Sequence, residues 1–166
     1  MKHIEITTNN ENETLELGKK LASYLKKGDI VVLTGELGSG KTKLTEGFLT
    51  YFGLENEISS PTFTLVNEYI KDDIKIFHFD VYRLEDSSEF YAIGGEEYFE
   101  NGICIIEWGE IIQDALPEEY IHIILKKDDI NDNIRLIDVT SYGHKYDYIL
   151  TDLLEEQNEN FKHRNF

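Results

Sequence analysis

The sequence predicts an α/β fold in which helices flank a mixed β-sheet. Residues 29–34 form a short apolar run rich in β-branched side chains, which is typical of a strand buried on both faces. A glycine-rich loop follows, and residues 41–52 then place Leu44, Phe48 and Phe52 four positions apart, as an amphipathic helix does. Later segments pair across polar turns in the manner of β-hairpins. A strand–loop–helix unit combined with hairpins indicates a sheet that is not purely parallel.

The remaining elements are predicted from apolar spacing and from capping residues. A polar start at residues 9–12 and leucines at helical spacing predict a first helix, which Gly28 would end. Ser87 or Ser88 would cap the first of one or two short helices that break near Gly94. The further predicted elements, in chain order, are strands at residues 62–70 and 74–82, the short helices within 85–99, strands at 102–108, 120–127 and 134–140, and a helix over 146–156.

A single domain is expected, because 166 residues can bury a core without disulfides or metals. This domain would span residues 1–156, and residues 157–166 would form a polar, frayed tail. Cys104 is the only cysteine, which suits a reducing compartment, and its place within an apolar run indicates inert packing. No signal-peptide pattern occurs, and no apolar run approaches the ~20 residues of a membrane span. We therefore expect a cytoplasmic protein with no membrane partner.

Charge is the most informative bulk property. Sixteen Lys and Arg residues against 33 Asp and Glu residues give a formal net charge of −17. Extensive direct contact with a nucleic-acid backbone needs a basic face, which this composition barely supplies. The acidity either serves solubility alone or forms a surface that docks on a basic protein partner, and composition does not separate these two interpretations. Any nucleic acid is expected to be held mainly by a partner.

A complete phosphate-binding pattern lies between the predicted strand and helix. Residues 35–42, GELGSGKT, match G-x-x-x-x-G-K-[ST], and this setting favours a nucleotide site over an ordinary glycine-rich turn. The glycines let successive backbone N–H groups point at phosphate oxygens, at the positive end of the following helix. Lys41 would reach the β- and γ-phosphates, and the hydroxyl of Thr42 would bind Mg²⁺. A P-loop NTPase-like fold is therefore predicted, with ATP held by Gly35, Glu36, Leu37, Gly38, Ser39, Gly40, Lys41 and Thr42.

Two apolar runs end in acids that could complete such a site. Glu107 follows the wholly uncharged run 103–106 and is predicted to bind the metal, whereas Asp80 is predicted to act on the attacking water. Either acid could instead be an ordinary carboxylate at the end of a strand. His78 is expected to be a satisfied strand residue rather than a catalytic one. Trp108 is expected to pack in the core, although its fluorescence could report nucleotide binding.

Four motifs in this order resemble the TsaE (YjeE) family of bacterial ATPases over about residues 14–143. They are GELGSGKT at 35–42, SPTFTL at 60–65, HFDVYRL at 78–84 and IEW at 106–108. The resemblance implies a protein that binds ATP and Mg²⁺ and assists threonylcarbamoylation of the adenosine next to the anticodon of tRNA. It also implies that the protein works with the TsaD and TsaB proteins and meets tRNA only through that complex.

The resemblance implies roles for individual residues of the site. Thr42 and Glu107 would hold the metal. Lys41, Asp80 and Glu107 would form the catalytic group, with Asp80 at the reaction centre. Glu11, before the first helix, would contact the adenine. Apart from that of Glu11, these assignments agree with those drawn from strand character and from the phosphate loop alone.

A second set of residues is predicted to act as a switch or to sense the nucleotide, and for Ser60 and Thr62 the resemblance implies this role. Ser60 and Thr62 would lie in a switch-like loop near the γ-phosphate, or else form an ordinary turn in which Pro61 fixes the backbone. Arg83 would supply positive charge within the chain, unless a partner does so. Trp108 completes this set of candidates.

Two other functions can be built on the same loop: a small-molecule kinase, and a binding module whose docking is gated by nucleotide. A kinase of this type needs several arginines to neutralise two phosphorylated substrates. The chain has only Arg83, Arg135 and Arg164, and only Arg83 lies in a candidate site motif. The sequence therefore favours a partner-dependent ATPase over a kinase, but it hardly separates that ATPase from the gated module.

Overall fold

The computed structural model describes residues 1–57 and 65–164, and among these residues a seven-stranded mixed sheet forms the centre. The strands are β1 (Lys2–Thr8), β2 (Ile30–Thr34), β3 (Val66–Lys71), β4 (Ile74–Asp80), β5 (Ile103–Glu107), β6 (Tyr120–Lys127) and β7 (Arg135–Tyr142). The helices are α1 (Glu11–Ala22), α2 (Lys41–Tyr51), α3 (Ser87–Ala92) and α4 (Asp147–Arg164), with 3₁₀ segments at Glu55–Glu57, Gly95–Tyr98 and Gly109–Ala115.

The strand order is β1-β7-β6-β2-β5-β4-β3. Strands β4, β5, β2 and β6 run parallel to one another, whereas β3 pairs antiparallel with β4, β7 with β6, and β1 with β7. The predicted mixed α/β sheet is thus confirmed. The parallel strands lie in the middle because both of their faces are covered by the rest of the fold.

Two apolar clusters cover the two faces of the sheet. In β2, Val31 and Leu33 point into the cluster formed with α1, α2 and α4, while Ile30 and Val32 point into the cluster formed with α3 and the 3₁₀ segments. This double burial explains why β2 reads as an uninterrupted apolar run. Cys104 of β5 lies in the second cluster, fully buried, and burial raises the pKa of its thiol to about 12.

Helices α1 and α2 approach each other through two glycines. A Cβ on Gly18 would collide with the carbonyl oxygen of Leu44, and a Cβ on Gly47 would collide with that of Leu15. The backbones can therefore touch only because both positions lack a side chain. This contact brings the start of α1 beside the phosphate loop, where the methyl group of Thr14 lies 3.6 Å from the Cβ position of Gly40.

A buried acid links the residue before β2 to the turn that leads into α4. Asp29 accepts a hydrogen bond of 2.8 Å from the Tyr146 hydroxyl and one of 2.8 Å from the backbone N–H of Lys26. The ammonium of Lys145 lies 3.3 Å from the same carboxylate, so the buried charge is compensated. Burial and the hydrogen bond to Asp29 raise the pKa of the Tyr146 phenol.

Several element predictions need correction. Strand β1 was not predicted, because it is an edge strand whose partner β7 lies more than a hundred residues away in the chain. Helix α1 ends at Ala22 rather than at Gly28, and Asp86, not Ser87 or Ser88, caps α3 by accepting the N–H of Ser88 at 2.9 Å.

The predicted frayed tail is also wrong up to Arg164, because α4 continues to that residue. Residues 157–164 contain neither proline nor glycine, so their composition does not interrupt the helix. Along the described residues, no helix combines the length and the apolar character that crossing a membrane requires.

We predict that Tyr146→Phe lowers the free energy of unfolding by about 2 kcal/mol at neutral pH, because a buried carboxylate loses a hydrogen bond. The raised pKa of the Tyr146 phenol stabilises the fold below the ordinary value of 10.0, and this contribution is lost as the pH rises above it. The two proteins should therefore become more alike in stability at alkaline pH. Urea unfolding across this range measures the difference.

The matched control is Tyr148→Phe, since Tyr148 lies two residues further along the chain and is exposed. This control should unfold at the urea concentration of the parent protein. Equal destabilisation by both substitutions would contradict the assigned role of the Asp29 contact.

Candidate nucleotide site

The carboxyl ends of three neighbouring parallel strands meet at one edge of the sheet. Asp80 at the end of β4 is in register with Glu107 at the end of β5, and Glu107 is in register with Leu33 near the end of β2. Ligands of open α/β sheets bind at this edge. The register therefore brings both predicted acids beside the phosphate loop, which begins one residue after Thr34.

The phosphate loop has a backbone that only its glycines permit. Gly38 and Gly40 have φ of +83° and +107°, in the left-handed region. A Cβ on Gly35 would collide with the hydroxyl of Ser39 and lie 2.8 Å from the carbonyl oxygen of Leu125. Gly40 is also the N-cap of α2 and offers no capping side chain, so the N–H groups of the first turn remain available to an anion.

One buried polar atom of the loop has no hydrogen-bond partner among the described residues. The hydroxyl of Ser39 is buried, and no residue within the described ranges 1–57 and 65–164 forms a hydrogen bond with it. A buried hydroxyl without a partner is costly. A phosphate oxygen seated in the loop would satisfy it, which fits the predicted ligand. Leu37, by contrast, is fully exposed at the tip of the loop.

A three-residue ionic cluster lies under the start of α2. The ammonium of Lys41 lies 3.4 Å from Oε1 of Glu107, and Nε2 of His78 lies 2.8 Å from Oε2 of the same carboxylate. The Glu107 carboxylate can only accept, so His78 donates its Nε2–H. Burial alone would raise the pKa of Glu107, but its contacts with His78 and Lys41 outweigh burial and hold the pKa below the ordinary value. Glu107 is therefore ionised at neutral pH.

His78 belongs to the site, which its sequence position alone did not indicate. It was expected to be a satisfied strand residue, and its Nε2 is indeed bonded, but the partner is the predicted metal ligand Glu107. Because His78 pairs with Ile105 across the β4–β5 ladder, it lies diagonally opposite Glu107. The alternation of side chains along β4, combined with a parallel β4–β5 register, could have predicted that His78 lies in the site.

Asp80 and Trp108 both adjoin this cluster, Asp80 through its pairing with Glu107 and Trp108 through its contact with Lys41. Asp80 is partly buried and accepts the backbone N–H of Tyr82 at 3.0 Å. Trp108 has a left-handed backbone, with φ of 63°, and its backbone N–H donates to the carbonyl of Leu33 at 2.7 Å. Its ring centroid lies 4.8 Å from the ammonium of Lys41 and 5.3 Å from the Tyr82 ring. Trp108 is thus only partly a core residue, because its indole also faces the site.

Of the other predicted site residues, three are exposed and two lie outside the described residues. Thr42 is exposed in the first turn of α2, Glu11 is exposed at the first position of α1, and Arg83 is exposed after β4. Ser60 and Thr62 lie outside the described residues, so their predicted switch role stays a prediction.

The β6–β7 hairpin adds two basic residues to the surroundings of the loop. The ammonium of Lys127 lies 3.9 Å from the Cβ position of Gly38, and Cδ of Arg135 lies 3.7 Å from that of Gly40. Neither was predicted as a site residue, because both are distant from the loop in sequence. The order of the strands in the sheet brings them near it. Both lie where they add positive charge next to an anion-binding loop.

We predict that Gly35→Ala abolishes nucleotide binding, because the added methyl group displaces Ser39 or the Leu125 backbone from the loop. Titration with a fluorescent ATP analogue measures the affinity. The control is Gly28→Ala, a change at a residue with φ of +96° whose Cβ meets no atom within 4 Å. This control should lose some stability through backbone strain yet bind the analogue normally. Equal affinity of the two variants would refute the steric argument.

Comparisons with known proteins agree with this architecture. The family model described as threonylcarbamoyl adenosine biosynthesis protein TsaE matches residues 8–136. A Bacillus subtilis protein named tRNA threonylcarbamoyladenosine biosynthesis protein TsaE is 38% identical over 159 residues, covering 95% of this chain and 98% of the relative. A Haemophilus influenzae protein of the same name is 42% identical over 139 residues, covering 80% and 88%.

A solved structure gives the same answer for the fold. The crystal structure of Bacillus subtilis YdiB superposes with a TM-score of 0.76 at 33% identity, covering 94% of this chain and 97% of that one. The P-loop NTPase-like α/β fold predicted from the sequence is therefore confirmed, as is the predicted family. This chain belongs to the TsaE family.

Proposed function

We propose that this protein is a Mg²⁺-dependent ATPase that acts in the formation of threonylcarbamoyladenosine in tRNA, together with the TsaD and TsaB proteins. The observation that carries the proposal is the Lys41–Glu107–His78 cluster directly under a phosphate loop, with Asp80 in register beside it. The pathway follows from the names of the TsaE relatives.

ATP would bind with its phosphates in the loop. The first-turn N–H groups of α2 and the hydroxyl of Ser39 offer donors, and the ammonium of Lys41 offers a positive charge that is largely shielded from solvent. Lys127 and Arg135 add charge next to Gly38 and Gly40. This arrangement favours a polyphosphate over a single carboxylate or sulfate.

Thr42 and Glu107 would hold Mg²⁺, whose positive charge would offset that of the phosphates. Both residues offer oxygen ligands, and the lowered pKa of Glu107 keeps its carboxylate ionised for this purpose. His78 orients Glu107 from behind, in the manner of an outer-shell residue at a metal site.

Asp80 is the candidate group for positioning the attacking water. Its carboxylate lies level with Glu107 on the adjacent strand, and the bond from the Tyr82 N–H fixes one of its oxygens. A carboxylate so placed can accept a proton or a hydrogen bond from water beside the γ-phosphate. Asp80 and Glu107 thus have separate roles, one toward water and one toward metal.

Partner dependence is part of the proposal. Hydrolysis needs positive charge on the transferring phosphoryl group, which Arg83 or a residue of a partner would supply. The net charge of −17 favours docking on proteins rather than on the tRNA backbone. We therefore assign tRNA contact to the TsaD–TsaB complex, and we place the protein in the cytoplasm with that complex.

The test is the release of phosphate from ATP with Mg²⁺, by the protein alone and then with TsaD and TsaB added. We expect slow release alone and clear stimulation by the pair. Lys41→Ala serves as the control and should abolish the stimulated rate, since the phosphates lose their charged partner. Lack of stimulation would refute the partner-dependent ATPase, and transfer of phosphate to an added metabolite would instead support a kinase.

We further predict that Asp80→Ala lowers the stimulated turnover by about 100-fold while ATP affinity changes little, because Asp80 acts on water rather than on phosphate. Affinity is measured with a fluorescent analogue and turnover by phosphate release. Asp73→Ala, an exposed aspartate in the β3–β4 turn, is the matched control and should leave both unchanged. A parallel loss of affinity in Asp80→Ala would contradict the division of roles between Asp80 and Glu107.

A further inference from the structure

A second polar cluster lies beside the nucleotide site, at the same edge of the sheet. Oγ1 of Thr34 lies 2.5 Å from Oε2 of Glu110 and 2.8 Å from Nε2 of His122. The histidine nitrogen lies 3.6 Å from the same glutamate oxygen. These three residues, here called the Thr34 network, come from three elements: the end of β2, the 3₁₀ segment Gly109–Ala115, and β6.

The hydrogen bonds of the network have one consistent direction. The Thr34 hydroxyl has a single proton, and an ionised carboxylate can only accept. Thr34 therefore donates to Glu110, and His122 donates its Nε2–H to the Thr34 oxygen. Burial acts to raise the pKa of Glu110, but the nearby His122 ring and the Thr34 hydroxyl outweigh burial and lower that pKa. The three side chains are thus linked by hydrogen bonds of compatible direction.

The network joins the two chain segments that carry the nucleotide site. Thr34 directly precedes the phosphate loop, and Glu110 follows Glu107 by three residues. Between Glu107 and Glu110, Trp108 adopts a left-handed backbone, which is unfavourable for a residue with a side chain. Its N–H bond to Leu33 holds one side of this turn. The bond from Thr34 to Glu110 holds the other side.

We propose that Thr34, Glu110 and His122 are positioning residues that keep Trp108 turned toward Lys41. Without the bond from Thr34 to Glu110, the turn can relax to a negative φ, and the indole leaves its place 4.8 Å from the Lys41 ammonium. The network acts on the site only through this turn. The effect on turnover rests on the ATPase activity proposed above, whereas the placement of Trp108 does not.

The experiment uses Trp108 as its own reporter, because it is the only tryptophan of the chain. Thr34→Val preserves the shape of the side chain but removes the hydroxyl, Thr34→Ser retains the hydroxyl, and Glu110→Gln weakens the acceptor. In Thr34→Val and Glu110→Gln we expect the emission to shift to longer wavelength and acrylamide quenching to increase. Thr34→Ser should behave as the parent protein does.

The matched control is Glu118→Gln, which removes an equal charge at an exposed position outside the network. It should leave emission, quenching and turnover unchanged. With TsaD and TsaB present, Thr34→Val should lower kcat for phosphate release by about tenfold, as loss of an outer-shell contact does, with a much smaller change in KM. Urea unfolding verifies that each variant is folded.

Parental emission and quenching in folded Thr34→Val and Glu110→Gln would overturn the proposal, because the network would then not hold Trp108. A fluorescence change without a fall in kcat would overturn its catalytic part. If the parent protein itself releases no phosphate with the pair present, the proposed function fails, and the fluorescence measurements still decide whether the network positions Trp108.

Discussion

The burial of β2 on both faces, between two parallel neighbours, is the constraint on which the rest of the structure depends. Its alternate side chains anchor opposite apolar clusters, so the strand can neither shift by one residue nor rotate without exposing a core face. The phosphate loop starts at the end of this strand, and the register of β5 and β4 fixes Glu107 and Asp80 relative to it. The precision of the site is thus inherited from apolar packing.

The charges of a site at the end of an apolar core must be compensated by neighbouring groups. Glu107 is mostly shielded from water, and isolation there would favour its neutral form. Contacts from Lys41 on one oxygen and His78 on the other reverse that tendency. The residues that would contact phosphate and metal therefore also balance the charge of the site when no ligand is bound. Substituting any one of them changes both the chemistry and the local charge balance.

The sequence predicted those parts of the fold and site that are local in the chain. The loop 35–42, its strand and its helix are contiguous, so spacing and residue type sufficed. Asp80 and Glu107 were found because each ends an apolar run. His78 and the Thr34 network were missed, because their contacts depend on the register of strands far apart in sequence. The nucleotide roles of all these residues stay predictions, and Ser60 lies outside the described part of the chain.

The burial of Cys104 has a practical consequence for work on this protein. Its thiol sits within a core strand with its pKa raised to about 12, so it is largely protonated and out of reach of maleimides and other thiol reagents. A cysteine introduced on the surface would be the only reactive thiol of the chain. Dyes or spin labels can therefore be attached at single chosen positions without first removing the native cysteine and disturbing the core that holds the site.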